Sequence, residues 1–159
     1  MEEASRYSGD SKTCNSFIKK DAEIETVGPE PASELEVLFE NCPNLKPTNT
    51  QQTVSLYRVD IDNDGKVDLV YFESWDLERT PAQQIYKIEK CSQESVFNSY
   101  RENRIIRLSG KTYIENDVQR CRGFPGRYFP CKEIYEAPWS TPVCGYVDKA
   151  WNVYKRERK

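Results

Sequence analysis

Four carboxylates crowd the stretch Asp60-Ile61-Asp62-Asn63-Asp64-Gly65-Lys66-Val67-Asp68-Leu69, and they constrain this chain more than any other feature. Asp60, Asp62, Asp64 and Asp68 stand at alternate or near-alternate positions and repel one another strongly unless a cation sits among them. Oxygen-only ligands in that number suit Ca²⁺. Asp60, Asp62 and Asp64 converge from one side of a tight loop, Gly65 allows the sharp reversal, the Lys66 carbonyl faces inward, and Asp68 closes the site. Apolar alternation flanks the acids: Val54, Leu56 and Val59 precede them, and Val67, Leu69, Val70 and Phe72 follow. That pattern makes the loop the tip of a β-hairpin. The plainer alternative is a solvated Asn63-Asp64-Gly65 turn carrying incidental acids.

The run DIDNDGKVDLVY, residues 60–71, resembles the Asp-rich calcium loop of integrin-type FG-GAP repeats and, more distantly, the loops of dockerins and EF-hands. It departs from the EF-hand at the twelfth loop position, where Tyr71 replaces the bidentate Glu, whereas Asp68 at the ninth position before an apolar strand fits the hairpin version. The resemblance covers about a dozen residues. FG-GAP repeats come several to a propeller and this chain holds one copy, so the resemblance implies a calcium loop and neither the propeller nor adhesion.

A chain of 159 residues is most simply one domain, but only 37% of its residues are hydrophobic, so the core is lean. Ten Tyr, six Phe and three Trp supply much of the apolar area. Cys14, Cys42, Cys91, Cys121, Cys131 and Cys144 supply covalent support. The spacings are wide, no CxxC occurs and there is no histidine, so zinc is disfavoured and disulfides are expected. Disulfides require an oxidising compartment. The opening Met-Glu-Glu carries no apolar segment, so the chain reads as a mature exported domain behind an added Met, with no transmembrane segment. The absence of an Asn-X-Ser/Thr sequon favours a bacterial periplasm over a eukaryotic secretory route. Charge is uneven along the chain: acidic over residues 1–100 and basic over 101–159. Interspersed acids in the basic third argue against nucleic acid as a partner.

Residues 1–12 read as a flexible leader, 13–154 as a single disulfide-rich domain and 155–159 as a charged tail. Between Cys14 and Glu25 a weak helical pattern runs through Phe17, Ile18, Ala22 and Ile24. Ser33-Glu34-Leu35-Glu36 has capping-box spacing and predicts a short helix over 34–41, ending near Cys42-Pro43. Pairing of Cys14 with Cys42 would pin this segment on itself, although six cysteines allow 15 connectivities. Residues 43–52 read as a linker and 74–81 as a surface loop. A strand is expected over 84–89, a helical turn over 93–100 through Val96, Phe97 and Tyr100, and a second hairpin around Gly110. Further strands are expected over 132–136 and 143–154. The fold class is therefore α+β, mainly β: an antiparallel meander with the short N-terminal helical segment packed on it, stapled by disulfides.

Between Cys121 and Cys131 lie two glycines, two prolines, two arginines and three aromatics, a composition that predicts an irregular stapled loop. Such a loop would project Phe124, Arg127, Tyr128 and Phe129, the residue types that protein-binding hot spots use. The alternative folds the rings back over the core. Without histidine, Ser/His/Asp and Cys/His mechanisms are excluded, and no Gly-rich phosphate loop appears. A carboxylate-based hydrolase is the remaining enzymatic alternative, and 26 acids always offer pairs, so it carries no weight. The expectation is a non-enzymatic, calcium-stabilised, periplasmic or secreted module that binds another protein. An inhibitor or immunity protein for an exported toxin or hydrolase is the concrete example. A calcium-stabilised structural or adhesive module of an envelope or secreted assembly is the alternative.

Overall fold

The computed structural model describes residues 17, 23–47, 52–75, 82–99, 102–122, 128–140, 142–146 and 155–156. They form one helix of ten residues, two antiparallel sheets and a 3-10 turn, so the class is α+β and mainly β. The chain divides into two compact units, Val27–Glu102 and Met1–Thr26 with Asn103–Lys159.

In the first unit, β2 (Gln52–Val59), β3 (Asp68–Trp75), β4 (Ala82–Glu89) and β5 (Ser92–Ser99) pair in sequence order. Alternation gives the sheet two faces. On one, Leu56, Tyr71 and Tyr86 stand in a cross-strand row. Helix α1 (Ala32–Asn41) covers that row, because Leu35, Leu38 and Phe39, with Cys42 just past the helix end, recur at helical spacing and form its apolar stripe. Leu38, Cys42, Leu45, Leu56 and Tyr71 are the buried centre of this core. The Tyr71 hydroxyl, buried with its ring, donates to the Leu45 carbonyl at 2.9 Å. Val59, Val70, Phe72 and Ile85 are buried on the opposite face.

The helix begins two residues before the expected start, and Ser33 does not cap it. Pro31, extended with φ fixed at −58°, takes the cap position and its carbonyl receives the Glu34 N–H, which leaves Ser33 inside the first turn. The expected linker contains a 3-10 turn, Pro43–Leu45, with Leu45 buried. The expected pairing of Cys14 with Cys42 is corrected: Cys42 is bonded to Cys91, with Cα atoms 5.3 Å apart. The bond ties the end of α1 to the β4–β5 turn, where Lys90 and Cys91 both have positive φ. The helical turn expected over 93–100 is a strand, β5. Val96 and Phe97 fit a helical spacing, but the tight Lys90-Cys91 turn returns the chain antiparallel to β4 and ladder pairing decides. Ser74 and Trp75, expected in a loop, extend β3.

In the second unit, β6 (Asn103–Leu108), β7 (Lys111–Arg122), β8 (Tyr128–Tyr135) and β9 (Pro142–Tyr146) form the meander, and β1 (Glu25–Thr26) pairs with β6. Ser109 and Gly110 make the β6–β7 turn at positive φ, as the hairpin reading expects. Phe17, Ile106, Leu108, Tyr113, Ile134 and Cys144 form the core, with the Phe17 and Tyr113 rings edge to face at 4.7 Å. Lys155 and Arg156, expected in a tail, form β10 and pair with β7. The stretch from Cys121 to Cys131 is more regular than its composition predicts, because β7 runs to Arg122 and β8 starts at Tyr128. Pro130 lies within β8, while residues 123–127, Pro125 among them, lie outside the described residues.

Candidate metal centre

Strand β2 ends at Val59 and β3 begins at Asp68, and the loop between them is folded by its own carboxylates. Asp60 Oδ1 accepts the Asp64 N–H at 3.0 Å and Asp60 Oδ2 the Gly65 N–H at 2.8 Å. Asp64 Oδ1 takes the Lys66 N–H at 2.9 Å, and Asp68 Oδ2 reaches across the loop to the Ile61 N–H at 3.1 Å. Short aspartates suit this role because their oxygens reach backbone donors a few residues away. The path needs left-handed backbone at Asn63 (φ 58°) and Gly65 (φ 93°), residue types that tolerate it. Ile61 is fully buried although aspartates flank it on both sides.

The result brings one oxygen from each of Asp60, Asp62, Asp64 and Asp68 within 4.8 Å of the others. Oxygens bound to one Ca²⁺ lie 2.3–2.6 Å from the ion and hence at most about 4.6–5.2 Å from each other. The spacing therefore fits a single ion. The donor set is oxygen only, and Asp62 Oδ1 is buried with no hydrogen-bond partner among the described residues, an acceptor that a cation would satisfy. Asp60, Asp62 and Asp68 are partly buried while Asp64 is exposed, so the cluster is reached from solvent on one side.

Sequence reasoning missed one member. Lys87 on β4 places its ammonium 3.0 Å from Asp62 Oδ2 and 3.7 Å from Asp68 Oδ1. Register explains the approach: Lys87 stands opposite Val70, so it shares the sheet face of Asp68 and lies diagonal to it. The signal was the alternation Ile85-Tyr86-Lys87, which puts a lysine on the same face as a buried isoleucine and calls for an acid nearby. Burial pushes the Asp62 carboxyl up, but the hydrogen bond and charge of Lys87 outweigh it and hold the group below the ordinary range. Asp68 is pushed up, by burial first and then by the charge of Asp62. The hydrogen bond to Asp62 raises Lys87.

No family model, curated protein or solved structure matches this chain. Its chemistry is legible only from its own residues.

Of the other expected residues, Lys66 lies exposed in the loop, its N–H on Asp64. Phe124, Arg127 and Cys14 fall outside the described residues, as does the 1–12 leader. Tyr128 and Phe129 open β8, their backbones opposite Arg122 and Cys121, and Cys131 stands opposite Val118. Cys144 is buried and disulfide-bonded. Among the described residues no helix is long and apolar enough to cross a membrane.

Proposed function

We propose that this chain is a calcium-stabilised, extracytoplasmic module that binds another protein. The observation that carries the calcium reading is the convergence of Asp60, Asp62, Asp64 and Asp68 on one hairpin turn. An oxygen-only set favours Ca²⁺ over zinc, whose sites are mostly nitrogen and sulfur, and four carboxylates favour it over Mg²⁺, which keeps several waters and takes one or two carboxylates. The Lys66 carbonyl completes the ligand set in this reading. Bound there, the ion neutralises the loop and joins the ends of β2 and β3, a structural role. The Cys42–Cys91 disulfide supports an oxidising compartment, periplasmic or secreted. The recognition residues in this reading are Phe124, Arg127, Tyr128 and Phe129 of the stretch between Cys121 and Cys131, and an inhibitor or immunity protein is the class they fit.

A melting scan with calcium against chelator tests the site. At free calcium near 100 times the dissociation constant, binding stabilises the fold by about 2.7 kcal/mol. The melting temperature rises accordingly, and Asp62→Asn together with Asp64→Asn removes the rise. An unchanged melting temperature and no heat of binding would reduce the loop to a polar turn.

A further inference from the structure

Lys87 comes to the loop from a different strand. Its partner Asp62 is 25 residues away in sequence, so the internal folding of the loop does not bring it there. Its side chain is only 22% exposed and those of Asp62 and Asp68 are 24% and 12% exposed, so the ammonium is seated among the carboxylates instead of waving over them. On its other side, Lys87 is the register partner of Glu94 on β5, an exposed acid whose charge also acts on it. Cross-strand partners stand about 4.5–5.5 Å apart at Cβ, well within the reach of a lysine. One ammonium thus has two acidic berths, one in the loop and one on the edge strand.

We propose that Lys87 is a tethered competitor for the metal: its ammonium holds Asp62 and Asp68 together when the loop is empty, and moves to Glu94 when a divalent cation enters. This rests on the calcium reading and adds to it the device that sets affinity. A divalent ion needs oxygens of Asp62 and Asp68, and an ammonium hydrogen-bonded to the same carboxylates stands within a few ångströms of that ion, where like charges repel strongly. Entry of the metal therefore expels the ammonium. The expulsion weakens binding relative to what four aspartates alone would give, because affinity in such loops follows ligand charge. In return, the empty loop keeps its carboxylates gathered. The ion keeps its structural role at the ends of β2 and β3, but Lys87 makes its binding weaker and reversible.

Calorimetric titration of CaCl₂ into wild type, Lys87→Met and Glu94→Gln, in metal-free buffer, tests the exchange. Lys87→Met is expected to bind calcium about tenfold tighter or more, as one fewer positive charge opposes the ion. Glu94→Gln is expected to bind about two- to fivefold more weakly, the scale of an exposed ion pair. In chelator, Lys87→Met melts below wild type, and in saturating calcium the order reverses or closes. If Lys87→Met does not fold in chelator, Lys87→Gln, which keeps a polar group beside the carboxylates, is titrated in its place. Wild type binding with Lys87→Met equal or weaker would overturn the competitor and leave the calcium reading standing. Unchanged affinity in Glu94→Gln overturns the second berth. Binding by Lys87→Met alone upholds the competitor and sinks calcium as the natural chain's ligand. Silence from every protein sinks both.

Discussion

Gly65 sits at φ 93°, and a Cβ built there meets nothing within 4 Å, so the position is glycine for backbone reasons alone. Gly65→Ala isolates that cost: a left-handed alanine loses about 1–2 kcal/mol relative to glycine. Chemical denaturation in chelator should register that loss with the denaturant slope unchanged; a loss under about 0.3 kcal/mol would mean the turn relaxes freely. At this scale the sequence was readable where chemistry is local. Asn63, Asp64 and Gly65 announce the turn, and the aspartates announce their convergence because all lie on one loop. Lys87 was not readable, since its place depends on how β4 registers against β3. Ile61 was hidden among acids for the opposite reason: one apolar residue in a polar loop has no period to reveal that it is buried.

At the scale of elements, helix α1 is marginal on its own, ten residues long and with no side-chain cap. Two things hold it: the stripe Leu35, Leu38, Phe39 and Cys42 on β2–β3, and the bond from Cys42 to Cys91 across a sequence separation of 49. Chain-entropy arguments give a loop of that length about 4 kcal/mol of stabilisation. The double variant Cys42→Ala/Cys91→Ala should lose most of it in urea denaturation. A loss below about 1 kcal/mol would place the burden on the apolar stripe alone. The stripe was visible in the sequence and the helix was expected from it. The bond was not, because connectivity is decided by which turns the sheet brings beside the helix, and the strand after Cys91, β5, carries a helical spacing in its sequence. Val96 and Phe97 sit as well on one side of a helix as in a strand, and only pairing with β4 separates the two.

The whole molecule was least legible, because its division into two units needs contacts between distant residues. Pairing of Glu25 with Arg107 brings β1 back to β6 and leaves Val27–Glu102 as a unit within the interrupted second one. No local pattern encodes that return. Function is read at this scale too. The sequence offers no histidine for catalysis and offers a cluster of aromatic and arginine side chains between Cys121 and Cys131. Of that stretch the described residues are Cys121 and Arg122, which end β7, and Tyr128 to Cys131, which begin β8; residues 123–127 lie outside them. Residues held in paired strands, as Tyr128 and Phe129 are, lose less backbone entropy on docking than residues of a free loop, so contacts made there convert into affinity more completely. If recognition is its role, Arg127→Ala, Tyr128→Ala and Phe129→Ala each leave the melting temperature within a few degrees and weaken the captured partner by at least about 1–2 kcal/mol. Pull-down with the purified chain as bait tests whether such a partner exists, and titration of each variant against it gives the loss. Unfolding of Tyr128→Ala and Phe129→Ala would instead assign those rings to a core. Full stability with full binding would move the interface away from this hairpin and send the search to the β3–β4 connection after Trp75, which leaves the same sheet that carries the aspartate loop.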